Sequence, residues 1–236
     1  MKRIVLVLLG TIGLAASGYA QSLHFGVKAG AGLATLVGPG AGVSGPAGAV
    51  ANKNKLGLSA GGFAQIRLRD DNSLMLQPEL LYSMKGTRTY SESLYPGSTT
   101  VLNFTQTATK LNYIDIPVLV HFTAGSLFFE IGPELNVLVK QKVEVEGGAI
   151  RGRSTKVTSE KYSYSFPGVY KRVNLSGVVG IGYQVSKDFS VGIRYSRGIT
   201  SVYTAMFGLG AYGQNTETRL YTSGLQLQAS YKLGGQ

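Results

Sequence analysis

The chain has 236 residues, a formal charge of +11, 33 glycines and 14 tyrosines, and neither cysteine nor tryptophan. That length fits one ordinary domain. The missing cysteines exclude a disulfide framework, a thiolate zinc knuckle and a thiol nucleophile.

The N-terminal stretch MKRIVLVLLGTIGLAASGYA carries Lys2 and Arg3, then an apolar run from Ile4 to about Ala16, then the small residues Gly18 and Ala20. It reads as a secretory signal peptide over residues 1–20, with the mature domain at 21–236. A retained anchor is the weaker reading, because the run is shorter than the roughly 20 residues a spanning helix needs. The mature chain keeps 21 basic and 12 acidic residues, a net of +9. No later apolar run is long enough for a spanning helix, so a membrane-embedded chain would have to cross with strands.

Alternating runs rich in Val, Ile, Tyr, Phe and Gly follow at about 23–34, 55–69, 73–88, 107–123, 127–144, 169–185, 189–202 and 219–233. Tight turns are expected at Asp70-Asp71-Asn72, Ala124-Gly125-Ser126 and Ser186-Lys187-Asp188. Long connections are expected at 35–54, 89–106, 145–168 and 203–218, so short and long alternate without exception. In an up-and-down meander this segregates tight turns to one end and long loops to the other, the asymmetry of outer-membrane barrels. The expectation is an all-β, eight-stranded antiparallel up-and-down transmembrane barrel with both termini periplasmic.

The two faces of the strands differ in chemistry. One carries Leu74, Leu76, Leu80, Tyr82 and Met84 on the third run, Ile114 to Phe122 on alternate positions of the fourth, and Leu127, Phe129, Ile131, Leu135, Val137 and Val139 on the fifth. The other carries Lys28, Gln65, Arg67, Gln77, Glu79, Asp115, Glu130, Glu134, Asn136, Lys140, Asn174, Ser176, Arg194, Gln226 and Gln228, with many glycines. A lipocalin-like soluble barrel would turn the apolar face inward. Eight strands, however, enclose room for little more than one layer of side chains, which suits the glycine-rich polar face. The bulky face is therefore assigned to lipid. Outward Phe25, Phe122, Phe129, Tyr183, Phe189 and Tyr231 near the tight turns form an expected interfacial girdle, with Tyr82 and Tyr221 for the opposite one.

Lys28, Glu79, Asp115, Glu134 and Arg194 each lie some five to eight residues from the tight-turn end and are expected in one mid-barrel layer. A salt-bridged plug outweighs a proton relay or ligand site, since enclosed charges must pair or neutralise. Three acids against two bases leave one carboxylate without a cation. His121 and Glu130 flank the second tight turn and should oppose each other across it as a structural pair. With His24 far away, no Ser-His-Asp grouping and no metal-ligand spacing can be assembled, and no cofactor is expected.

GLGAYG at Gly208–Gly213 matches a dinucleotide fingerprint only as letters, since no strand-to-helix context surrounds it. The Gly/Ala-rich stretch at 38–55 is low-complexity. The third long loop is basic: Arg151, Arg153, Lys156 and Lys161 meet no nearby acid except Glu160. A nucleic-acid module is missing, and attraction to glycolipid phosphates at the outer rim explains the charge with less assumption. A solvated loop is the plain alternative.

The segments LQPELLYSMKG, LNYIDIPVLVHF, FEIGPELNVLV, VVGIGYQ and VGIRYSRGITSV, following FGVKAGAGLA, resemble the PorT-like outer-membrane β-barrel family of Gram-negative bacteria, often labelled porin-family proteins. The resemblance spans Leu23 to Leu233 and implies an eight-stranded barrel in the outer membrane. It implies little about activity, although one named member assists type IX protein secretion. Such barrels usually end on an aromatic residue, whereas here Tyr231-Lys232-Leu233 runs on into Gly-Gly-Gln. The resulting expectation is a monomeric, non-enzymatic integral outer-membrane protein with a filled lumen and a structural or loop-mediated binding role. Its partners would be membrane lipid and glycolipid phosphates, not nucleic acid. Two rivals are an accessory that contacts secretion-machinery proteins and a lipid-modifying barrel enzyme; the latter is disfavoured because both histidines fall at the tight-turn end.

Overall fold

The alternation produces strands β1 (Leu23–Val37), β2 (Val50–Arg67), β3 (Leu74–Leu94), β4 (Val101–Ala124), β5 (Leu127–Arg151), β6 (Thr158–Tyr164), β7 (Val173–Gln184), β8 (Phe189–Gly198) and β9 (Tyr221–Leu233). The computed structural model describes residues 23–38, 50–69, 71, 73–94, 101–151, 158–165, 168–203 and 219–233. The proposed signal peptide, the GLGAYG stretch and the Gly-Gly-Gln tail lie outside the described residues.

All pairings are antiparallel, and the last strand returns to the first: β9 lies along β1 from Phe25↔Leu233 to Val37↔Tyr221. Together with β4–β5 and β5–β7 this closes an eight-stranded up-and-down ring in the order β1-β2-β3-β4-β5-β7-β8-β9. Closure leaves no unpaired sheet edge around the ring, the condition under which strands can sit in hydrocarbon. The Ala124–Leu127 hairpin turns on Gly125, whose φ of 62° lies in the left-handed region where a Cβ is unfavourable.

The long connections correct the sequence reading in part. Strands continue into three of them, as β1 to Val37 and β2 from Val50, β3 to Leu94 and β4 from Val101, and β5 to Arg151. The segment read as a loop at 145–168 also contains the ninth strand, β6, which pairs with the outer arm of β5 from Val143↔Tyr164 to Ala149↔Thr158 and stands outside the ring. Of the connection at 203–218, only Tyr203 is among the described residues.

Outward positions carry the apolar side chains: Leu80, Phe129, Ile131, Val179, Ile193 and Leu227 are all exposed. The turn-end aromatics Phe25, Phe122, Phe129, Tyr183, Phe189 and Tyr231 are exposed as well. They lie level with one another, since Phe122 pairs with Phe129 and Phe189 with Tyr231. Tyr82 is exposed toward the loop end, whereas Tyr221 is half-buried against Val37.

One face assignment is overturned. Val139 is an extra residue in β5, between Leu138↔Tyr113 and Lys140↔Asn112. A bulge of this kind reverses the in/out alternation beyond it. Lys140, expected inside, is therefore exposed on the outer face, while Gln141 and Val143 continue the inward row.

The interior is packed by matching large side chains to glycines. A Cβ at Gly182 would fall 2.1 Å from the Phe128 ring, and one at Gly26 2.2 Å from the Phe63 ring. The loop end of the lumen, expected to be polar, contains an apolar cluster among polar residues such as Thr87, Thr109 and Gln141. Leu111, Tyr113 and Tyr170 form a buried cluster joined by Leu138, Val169 and Tyr203, and the Tyr170 and Tyr203 rings lie 4.9 Å apart.

Candidate functional site

The enclosed charges form two networks stacked along the barrel. The charged members of the one nearer the tight turns come from four strands. Arg194 of β8 reaches across the lumen to β3, four strands away by either route round the ring. There its Nη1 and Nη2 donate to Glu79 Oε2 and Oε1 at 2.8 and 2.9 Å. Its Nε donates to Glu130 Oε1 of β5 at 2.6 Å. Lys28 of β1 donates to Glu79 Oε1 at 2.5 Å. Gln77 and Gln228 complete the carboxylates at 2.6 and 2.9 Å, and Gln65 donates to Gln77 at 2.7 Å. The fork of a guanidinium suits this double role, since it can meet one carboxylate with two parallel bonds and a second with its remaining N–H.

The second network lies closer to the loops. Lys85 of β3 contacts Asp115 of β4 at 2.8 Å and Glu134 of β5 at 3.0 Å. Ser83 donates to Asp115 at 2.5 Å, and Asn136 donates to Asp115 and Glu134 at 2.9 and 2.6 Å. Ser176 of β7 in turn donates to Asn136 at 2.6 Å. Burial of these ions is sustainable because both oxygens of Glu79 and Asp115, and one oxygen each of Glu130 and Glu134, accept from donors, the condition under which enclosed ion pairs persist.

The five residues assigned to one layer are thus divided: Lys28, Glu79 and Arg194 sit in the first network, Asp115 and Glu134 in the second. Two members escaped the count of three acids against two bases. Lys85 lies inside and supplies the second network's only ammonium among the described residues, and Glu130 belongs to the first network. Lys85 shares the parity of Gln77, Glu79 and Ser83, so alternation carried two residues further would have found it. His121 and Glu130 are directly opposed, with Nε2 and Oε2 3.2 Å apart but not aligned as a hydrogen bond. The imidazole stacks on Phe128 at 5.3 Å between centroids. Within the two networks four carboxylates thus face the three cations Lys28, Lys85 and Arg194, with His121 beside Glu130. Of the remaining inward assignments, Gln65, Asn174 and Ser176 are buried and Arg67 is half-buried. Gln226 is half-buried and donates to Ser59.

Glu79, His121 and Glu130 are the one trio among the described residues whose ligand atoms lie within 4.8 Å of one another. Lys28 and Arg194 already pair with both carboxylates, and two fixed cations oppose entry of a third. This chemistry favours an ion-pair network over a metal centre.

The basic loop is only partly visible. Arg153 and Lys156 lie outside the described residues, and Arg151 ends β5 with its backbone paired to Val101. Lys161 lies on β6 and pairs with Glu146 of β5 at 3.3 Å, which corrects the reading that Glu160 was its only acid neighbour. Glu160 instead accepts from the Tyr162 hydroxyl.

An antiparallel ring with an apolar outer wall, aromatic residues at its turn end and its charges enclosed defines a transmembrane β-barrel. The chain belongs to the outer membrane protein beta-barrel domain family, whose profile matches residues 19–204. It is an integral protein of the bacterial outer membrane.

Among solved structures, Neisserial surface protein A (NspA) is similar at 15% identity and a TM-score of 0.42, covering 89% of this chain and 97% of that one. Ail, the attachment invasion locus protein of Yersinia pestis, aligns at 9% identity and a TM-score of 0.37 over 90% and 99% of the two chains. The outer membrane protease OmpT of Escherichia coli aligns at 8% identity and a TM-score of 0.29 over 90% and 95%. None of the curated proteins matches the chain.

Proposed function

We propose that this chain is a monomeric, non-enzymatic barrel whose lumen is sealed, exported by a signal peptide over residues 1–20 and oriented with both termini in the periplasm. The observation that carries this reading is the bracing of the lumen by Arg194, which ties β8 to β3 and β5. Cavities of about 50 and 20 Å³ remain above and below that brace. They are waters' worth of space, not a solute path, given that one water fills roughly 10–15 Å³ on the same measure. "Porin" is then a family label rather than an activity, and the protein contributes through its outer wall and its loop-end arms.

The PorT-like segments support an accessory role in protein export as the second reading. Loss of cargo secretion on deleting the gene would favour it over a passive envelope role. A lipid-modifying activity finds less support, since His121 is occupied by Glu130 and Phe128 at the turn end.

Two results are expected. Reconstituted in a planar bilayer, the purified barrel should give no steady open-channel current; a stable conducting level would refute the seal. Protease added to intact cells should cut within 145–168 while leaving the tight turns intact. Cleavage at Asp71 or Lys187 instead would reverse the sidedness.

A further inference from the structure

Toward the loops, the outer face of β2 to β5 changes from hydrocarbon to cation. In register, Gly86 pairs with Lys110 and Lys110 with Lys142, and one row further out Lys53 pairs with Arg88. The stem of Lys55 passes over Gly86, and its ammonium feels the charges of Lys110, Arg88 and Glu144. The bulge at Val139 turns Lys140 out beside Asn112. Among the described residues Glu144 takes Lys110 at 2.6 Å and Lys142 at 3.1 Å, and Glu146, the next outward position of β5, pairs with Lys161 instead. The hydrogen bonds from Lys110 and Lys142 hold Glu144 down to about 2. Burial, then repulsion from Lys110 and Arg88, pushes the Lys55 ammonium below its ordinary range.

Like charges at directly opposed cross-strand positions cost stability. The belt therefore answers to something of opposite sign. Its height identifies the environment: Leu56, Leu58, Met84 and Val139 are exposed immediately below it, at 68, 54, 42 and 52%, so the ammoniums stand where the apolar wall ends and headgroups begin. The feature is concentrated on β2 to β5: on β1 and β9 the loop-end outward positions are Thr35, Val37, Tyr221 and Ser223, and β8 adds the single cation Arg197 opposite Ser223. Three strand-to-strand steps spread the cations over roughly 14 Å, too wide for one phosphate. Beside Lys140 and Lys142 a hollow of about 660 Å³ opens toward Arg172, Ser163 and Tyr164. That adds a recess of mixed polar and apolar lining with room for more than one sugar.

We propose that this belt binds the phosphate groups of a multiply phosphorylated glycolipid in the leaflet around the loop end. The proposal rests on the loop end facing out of the cell, which the protease experiment reads separately from any binding result.

The test uses the full chain, folded in an uncharged detergent. The micelles are doped with a diphosphorylated glycolipid or with the same glycolipid after phosphatase treatment, and the temperature at which heat-modifiable gel mobility is lost is recorded. The phosphorylated form should raise that temperature and the dephosphorylated form should not. In the Lys110→Gln/Lys140→Gln/Lys142→Gln variant the half-saturating dose should rise on the order of 100-fold. The corresponding triple arginine variant should keep the response, which separates charge from folding. An equal shift with dephosphorylated lipid, or an unchanged response of the glutamine variant, overturns the proposal. So does an equal loss in the turn-end variant Arg69→Gln/Lys187→Gln, or inorganic pyrophosphate reproducing the shift.

Discussion

Replacing Arg194 with leucine is expected to destabilise the folded barrel by about 3–5 kcal/mol, the usual cost of removing one partner from a buried ion pair. Three bonds from the guanidinium reach both oxygens of Glu79 and Oε1 of Glu130, and the side chains of all three residues are at most 3% exposed. Without it Glu79 retains Lys28 and Gln77, but Glu130 Oε1 retains only the Gln228 amide as a hydrogen-bond donor. Leucine also leaves the space of the fork unfilled, so a cavity cost adds to the electrostatic one. The measurement is the urea midpoint of unfolding in micelles, followed by gel mobility. Adding Glu130→Gln to the leucine variant should recover part of the loss, because it removes the orphaned charge. A midpoint unchanged by Arg194→Leu would mean that the enclosed network does not brace the barrel.

The second large effect is expected on the opposite face. Ile131 is 52% exposed and lies between Val120 and Val179 in register, in the middle of the apolar band. Arginine at this position should cost roughly 2–4 kcal/mol in a bilayer, the penalty for a cation on the lipid face near the midplane. On a wall facing water, the same exchange would fall within about 0.5 kcal/mol. Folding yield into vesicles against urea reads the difference directly. A neutral Ile131→Arg would contradict the assignment of faces.

Much of this architecture is legible in the residues because a barrel strand has two unlike environments and a period of two. Leu80, Tyr82 and Met84 against Glu79, Leu81 and Ser83 suffice to orient β3. Strand ends are a different matter. Apolar alternation persists only while one face meets lipid, so the arms at 89–94 and 101–106, interrupted by polar residues such as Ser91, Glu92, Asn103 and Gln106, read as loop although the ladder continues through them. The partner of Lys161 is hidden for the same reason, since Glu146 lies across a hairpin that alternation does not reveal.

The bulge at Val139 left no compositional mark either, and it carried Lys140 to the outer face. Parity also gives the face of a residue but not its height. Whether Arg194 meets Glu79 or Asp115 depends on the stagger between strands, a property of the closed ring that no single segment contains. The cationic belt stayed hidden for the same reason, because Lys53, Lys55, Arg88, Lys110 and Lys142 are scattered in sequence and become neighbours only through three registers.

The sidedness of the wall can be measured with one reporter, since the native chain contains no tryptophan. Ile131→Trp, folded into vesicles, should be quenched strongly by lipids brominated near the ends of their acyl chains and hardly at all by iodide in the buffer. Quenching by iodide with no effect of the brominated lipids would place that side chain in water and contradict the account.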